Sequence, residues 1–344
     1  MLLTSADPLA RAYDLAMLDL DGVVYIGDEA VVGAAESIVG ARDAGMRVAF
    51  ITNNASRSAA VVAGRLRDLG VAAETGDVVT SAQAAARLLA ERFGPGAPVL
   101  CLGGPGLRTA LEEAGLVAVD GDEEARAAAS GYGPDLRWRE IMQAAVRIRD
   151  GLPWVASNTD HTIPTAYGVA PGHGVLVDMV QRFTGMTPQV AGKPARPLLD
   201  ETVRRVGGRR PLMVGDRLDT DIEGAHNAGV DSLLVLTGVT GLAELVAAEA
   251  GHRPGYIAPD LGGLTTAHEA PERDRAADTP AWRLGGWAGR VDEGRLVVEQ
   301  VGPEATVADW WRVAAVTAWD HRDRTGEAVD IAAARVPGTD PVAR

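Results

Sequence analysis

The chain has 344 residues, 47% of them apolar and 23% charged, which gives room for two or three domains with ample core. Its net charge of −14 argues against nucleic acid or an anionic membrane as a general partner. Cys101 is the only cysteine, so an intrachain disulfide is excluded; no run approaches the ~18 apolar residues of a membrane span, and the N-terminus lacks a basic segment leading into an apolar one, so the expected setting is the cytoplasm.

In chain order, residues 16–20 read as a buried strand and 34–44 as a helix stopped by Gly45. Residues 47–52 read as a second buried strand, 58–69 as a helix stopped by Gly70, and 78–79 as a short strand. A second alternating stretch begins near Ser81, with strands expected at 99–102 and 153–156 and helices at 107–113, 138–149 and 174–183. A polar loop, 157–164, follows the second of these strands. The first kind of pattern then resumes: helix 197–206, strand 211–214, helix 221–228, strand 232–236. Strand–helix alternation with short turns predicts α/β architecture around parallel sheets, with ligands beyond the carboxyl ends of the strands.

The pattern predicts a discontinuous core domain, 1–80 with 189–264, carrying an inserted α/β domain at 81–188. Residues 265–279 are rich in Ala, Glu, Asp, Arg and Pro and read as a linker. Five of the seven tryptophans lie between Trp282 and Trp319, too aromatic for a disordered tail, so 280–344 reads as a small folded α+β appendage with a strand at 295–301 and a helix at 307–319.

Four segments carry candidate chemistry. Asp19-Leu20-Asp21-Gly22 ends the first strand, and its two acids repel each other unless a cation or a shared proton compensates. Thr52-Asn53-Asn54 ends the second strand, with Arg57 just beyond. Lys193, between Gly192 and Pro194, is the only lysine among 33 basic residues, in a chain that otherwise uses arginine. Asp216, Asp219 and Asp221 follow the 211–214 strand. Each has a plainer explanation alone: Thr52 as a helix cap, Asp216 in an Asx turn, one of Asp219 and Asp221 as an N-cap. Together they are unlike chance, because three follow apolar strands and the fourth holds the sole lysine.

With these segments in order (DLDG, FITNN, GKP, VGDRLDTD), the chain resembles the haloacid dehalogenase (HAD) superfamily of phosphohydrolases over roughly residues 14–262. The insertion resembles the α/β cap of the subgroup holding 4-nitrophenylphosphatase-like, phosphoglycolate and glycerol-3-phosphate phosphatases, although 131–135 departs from the shorter turn expected there. The resemblance implies a Rossmann-like core and a Mg²⁺-dependent phosphatase of small phosphate monoesters, with Asp19 as nucleophile and Asp21 as general acid and base. Asp19, Asp216 and the Asp21 backbone carbonyl would hold the metal, and Asp221 would support it. Lys193 would offset charge, and Thr52 with the amides near Asn53 would hold phosphoryl oxygens. Asn54, Arg57, Asn158, Asp160 and His161 are the further candidates for substrate contact.

Glycerol 3-phosphate leads the implied substrates, ahead of 2-phosphoglycolate and of sugar, nucleotide and pyridoxal phosphates. A carbon–halogen hydrolase has no use for Asp21 and Asp216. A phospho-accepting signalling module would be undermined by a general base beside its acyl phosphate; an inactive metabolite sensor would not need every catalytic position filled. Nothing in the sequence decides between a monomer and a homodimer.

Overall fold

Short apolar, β-branched runs bounded by glycine or proline become parallel strands buried on both faces. The computed structural model describes residues 1–165, 167–274 and 280–338. The chain forms two units, one of Met1–Ile26, Ala30–Arg47 and Arg209–Arg344, the other of Gly27–Glu29 and Val48–Gly208. No described helix is long and apolar enough to cross a membrane.

In the first unit, strands Leu15–Leu18, Pro211–Gly215, Asp231–Val235 and Tyr256–Ala258 lie side by side in that order, all parallel. Met17 sits opposite Met213 and Leu18 opposite Val214, so the first two strands end together. The Asp14 carboxylate accepts the N–H groups of Arg209 and Arg210 at the other end of this pair. The strand at Tyr256–Ala258 was not expected; three residues are too few to show a pattern. The helix expected at 221–228 begins instead with a π-helical turn, Leu218–Ile222, and continues as Glu223–Ala228.

The appendage is an antiparallel meander, Glu272–Arg273, Ala281–Leu284, Trp287–Asp292 and Arg295–Gln300, followed by helix Val307–Thr325. Thr306 caps that helix by accepting the Asp309 N–H, and Gly326 ends it at φ 78°. Trp282, Trp287, Trp310, Trp311 and Trp319 are all buried, in one apolar cluster with Leu234, Leu245, Val246 and Ile257. The appendage and the parallel sheet therefore share a core.

Within the stretch 265–279, expected as a linker, residues 265–274 are described. His268 is 2% exposed, and Glu272–Arg273 pairs with the meander; residues 275–279 lie outside the described residues. Polar composition concealed this because His268 is satisfied internally. Its Nε2–H donates to the Gly263 carbonyl at 2.8 Å, and its Nδ1 accepts from the Arg312 guanidinium at 3.1 Å. Accepting at Nδ1 requires neutral imidazole, with its one proton on Nε2. Burial, together with Arg312, depresses the His268 pKa to about 4, and burial does the same to His173, also to about 4. A depressed histidine stabilises the fold fully above the unfolded pKa of 6.5 and loses that contribution as pH falls towards the folded value. Stability should therefore drop by about 2 kcal/mol per histidine between pH 7 and pH 5. Urea denaturation at the two pH values checks this; a pH-independent midpoint over that range, or an undiminished loss in His268→Gln, would contradict it.

In the second unit, Arg47–Thr52 and Val78–Thr80 pair in parallel, with Phe50 opposite Val78. A five-stranded parallel sheet follows, ordered Gln189–Val190, Trp154–Ala156, Ala127–Ser130, Pro98–Leu102, Val117–Val119. Helices Trp138–Arg149 and His173–Thr184 share an apolar cluster with this sheet. Ala127–Ser130 is a central strand that the sequence concealed, because alanine has little strand preference; it is wholly buried. The polar loop expected at 157–164 runs into an exposed hairpin, Thr162–Thr165 with Gly168–Pro171. The α/β class, the parallel sheets and the α+β appendage match the sequence reading.

Candidate active site

At the end of strand Leu15–Leu18, the Asp19 N–H still donates to the Val214 carbonyl, at 2.9 Å. The chain then turns sharply: Val24 and Tyr25 donate to the Leu20 carbonyl, and Gly22 donates to Tyr25. Gly22 has φ +84°, and a Cβ there would lie 2.5 Å from Asp216 Oδ2. Only glycine meets both demands. The turn separates the environments of the two acids, leaving Asp19 half-buried and Asp21 exposed.

Asp216 follows Pro211–Gly215 and is fully buried. Its Oδ2 accepts the Val239 N–H at 2.7 Å, and its carbonyl accepts the Thr240 N–H. Thr237 Oγ1 donates to the Gly22 carbonyl at 2.5 Å. A Cβ on Gly238 would lie 2.0 Å from Asp216 Oδ2. The 237–240 loop thus shapes the site, and the sequence reading missed it. Its signal was present: Thr237-Gly238-Val239-Thr240 also follows a buried strand's carboxyl end.

Asp221 is not an N-cap. Its Oδ2 accepts the N–H groups of Asp216 and Arg217, which precede it, and Gly215 leaves no room for a Cβ beside it. Asp219 is not a cap either; it pairs with Arg217 at 2.8 Å, and that guanidinium more than offsets burial to hold its pKa below the usual carboxylate range.

Asp19, Asp216 and Asp221 each place a carboxylate oxygen within 4.8 Å of the others. Three anions so close, two of them buried, repel strongly without a cation. An all-oxygen, anionic donor set fits a hard divalent ion such as Mg²⁺ or Ca²⁺ and does not favour a thiophilic one.

In the second unit, Thr52 to Arg57 follow Arg47–Thr52, Asn158 to His161 follow Trp154–Ala156, and Lys193 follows Gln189–Val190. Asn53 is the hub. Its Oδ1 accepts the Lys193 N–H at 2.8 Å, while its Nδ2 donates to the Lys193 carbonyl at 2.9 Å and to Asp160 Oδ1 at 3.0 Å. The Asn53 carbonyl accepts from Asn158 Nδ2 and Ser81 Oγ, each at 2.6 Å. Asn158 Oδ1 in turn accepts the Asp160 N–H. Gly192 permits the approach, since a Cβ there would lie 2.5 Å from Asn53 Oδ1. Lys193 itself is 2% exposed.

Asn53 and Asn158 are both buried, and their side-chain amides are engaged with protein groups, as buried polar groups require. Thr52 Oγ1 accepts the Asn54 N–H, and Asn54 Oδ1 accepts from Ser56, so Thr52 is not the cap of the next helix; Ser58 is. Arg57 is exposed, and His161 forms an exposed pair with Asp178 at 2.9 Å; neither joins the Asn53 network. Ser81 and Gly192 were missed, as partners that only the folded chain brings together.

A haloacid dehalogenase-like hydrolase family model matches residues 16–117, and a HAD-hydrolase-like model matches residues 190–264. Asp19, Asp21, Thr52 and Asn53 fall within the first match, and Lys193, Asp216 and Asp221 within the second. The chain is 44% identical over 284 residues to D-glycerol 3-phosphate phosphatase of Mycobacterium tuberculosis, spanning 82% of this chain and 79% of that protein. It is 35% identical over 237 residues to acid sugar phosphatase of Staphylococcus aureus, spanning 68% and 91%. Among solved structures, glycerol phosphate phosphatase from M. tuberculosis in complex with magnesium matches with a TM-score of 0.81 at 40% identity, over 91% of this chain and 92% of that one. The 4-nitrophenylphosphatase of Thermotoga maritima matches with a TM-score of 0.69 at 31% identity, over 75% and 98%. The chain belongs to the haloacid dehalogenase-like hydrolase family.

Proposed function

We propose that this chain is a Mg²⁺-dependent phosphatase of small phosphate monoesters, with glycerol 3-phosphate as its substrate. The three-carboxylate cluster at the ends of two paired strands carries the reading, and the 44% identity to a D-glycerol 3-phosphate phosphatase supports the substrate. Asp19 attacks phosphorus, forming a phospho-aspartate as the ester P–O bond breaks. Asp21 protonates the departing alkoxide and then takes a proton from the water that attacks the phospho-aspartate, which releases phosphate and restores Asp19. The exposure of Asp21, beside a half-buried Asp19, suits a group that exchanges protons with solvent.

Asp19, Asp216 and the Asp21 backbone carbonyl would hold Mg²⁺, which when bound offsets charge on the phosphoryl oxygens. Asp221 supports that set by fixing the amides of Asp216 and Arg217. By the motif resemblance, Lys193 compensates charge, Thr52 binds phosphoryl oxygen, and Asp160 and His161 belong to the loop that selects the leaving group. Asn53 and Asn158 act one step back, holding the Lys193 backbone and the 158–160 loop. We read residues 1–80 with 189–264 as the core, 81–188 as the cap and 280–344 as the appendage, and place the protein in the cytoplasm.

Phosphate release from a panel led by glycerol 3-phosphate and 2-phosphoglycolate, with Mg²⁺ and with excess chelator, tests the reading. Mg²⁺-dependent release with a preference for glycerol 3-phosphate is expected. Full activity in chelator, or no release from any member, would overturn it; a preference for another ester would overturn the substrate alone.

A further inference from the structure

The loop 158–161 is held from two sides. On one side stands Asn53, whose Nδ2 donates to Asp160 Oδ1 and whose carbonyl accepts from Asn158 Nδ2. On the other stands the start of helix His173–Thr184. There the Gly172 N–H donates to the His161 carbonyl and the Gly174 N–H to the Asp160 carbonyl, each at 2.8 Å. The approach is close enough to demand both glycines. A Cβ on Gly172 would lie 2.3 Å from the Asp160 carbonyl oxygen, and one on Gly174 would lie 2.2 Å from that of Thr159.

His173 stands between the two glycines and is 3% exposed. Its Nε2 and Ser130 Oγ share a hydrogen bond at 3.2 Å, and Ser130 Oγ also accepts the Trp154 indole N–H at 2.8 Å. Ser130 ends strand Ala127–Ser130 and lies opposite Ala156, the last residue of the strand from which the loop springs. A buried imidazole satisfied by a hydroxyl is ordinary core chemistry, and burial keeps this one neutral, with a pKa of about 4. Its place is less ordinary, because the ring fixes the two amides that carry Asp160 and His161. We propose that His173, through Ser130, is a positioning residue that sets loop 158–161 where it can hold the leaving group; the inference rests on the phosphatase reading of the site. Lys193 does not depend on this tie. Asn53 is bound to the Lys193 backbone by two hydrogen bonds and to Ser81 by a third, none of them in the loop. Cutting the tie therefore weakens recognition of the leaving group while the groups around Lys193 stay in place.

Steady-state kinetics with glycerol 3-phosphate and with 4-nitrophenyl phosphate, whose leaving group offers the loop no hydroxyl, test the proposal, beside a thermal melt of each variant. His173→Leu keeps the bulk of the ring without its hydrogen bond. It should raise KM for glycerol 3-phosphate by about 10-fold with kcat held within about threefold, and should cost 4-nitrophenyl phosphate less than about threefold in kcat/KM. Ser130→Ala cuts the same tie from the strand side without altering the helix, and should give the same split even where His173→Leu fails to fold. His173→Gln, whose carboxamide can donate to Ser130 or accept from it, should bring KM back to within about threefold of the wild type. An unchanged KM in folded Ser130→Ala, or an equal loss for both esters, would overturn the proposal and leave the phosphatase reading standing. A wild-type chain that releases phosphate from neither ester would overturn that reading, and the proposal with it.

Discussion

Asp19→Asn should lower phosphate release by at least about 10⁴-fold while leaving the melting temperature unchanged or raised. The amide matches the carboxylate in shape, so the turn at 20–25 and the packing of Gly22 against Asp216 stay intact. It lacks the charge that attacks phosphorus, and no other half-buried carboxylate lies at the end of strand Leu15–Leu18 to replace it. Stability should not suffer, because removing one of three crowded anions relieves repulsion with Asp216 and Asp221. A stability-driven loss of activity would instead show as a lowered melting temperature. The measurement is phosphate release at saturating Mg²⁺ beside a thermal melt of the same preparation. Activity surviving in folded Asp19→Asn protein would remove Asp19 as nucleophile and, with it, the phospho-aspartate route.

The features most legible in the sequence were those set by local rules. Buried strands announce themselves through runs such as Arg47–Thr52, and three of the four candidate segments stand directly after such runs. Lys193 stood out by composition alone. What stayed concealed depends on contacts distant in the chain. Asn53 sits in a motif expected to face phosphate, yet its side chain is fixed by Lys193, 140 residues away, and its carbonyl by Asn158, 105 residues away. The 237–240 loop carries no titratable group, so nothing chemical marked it, although Val239 donates directly to Asp216. Gly215 and Gly238 matter only because Asp221 and Asp216 occupy the space a Cβ would take. Clustered tryptophans between Trp282 and Trp319 pointed to a folded appendage, but not to what it packs against.

Trp319 answers that last question and carries the largest expected effect on stability. It is 2% exposed, in the same cluster as Leu234, Leu245, Val246 and Ile257 of the parallel-sheet region. Its indole N–H donates to the Leu245 carbonyl at 2.8 Å, and the Arg253 guanidinium lies 5.3 Å from its ring. Helix Leu242–Val246, which holds Leu245, directly follows the loop that donates to Asp216. The appendage thus buttresses the element next to the carboxylate cluster. Trp319→Ala should cost about 3–5 kcal/mol, from lost burial, a residual cavity and the lost hydrogen bond to the Leu245 carbonyl, which keeps only the Ala248 N–H. Trp319→Phe keeps most of the ring and should lose only about 1 kcal/mol for the missing hydrogen bond, plus a smaller packing term. Truncation after Leu264 goes further: it uncovers Leu245, Val246 and Ile257 together, and should leave no soluble, cooperatively folding fragment. Urea denaturation of the two point variants and solubility of the truncated chain measure these effects. A soluble 1–264 fragment that melts like the full chain would show that the sheet closes its core without the tryptophans, and the shared core would then contribute nothing to the fold.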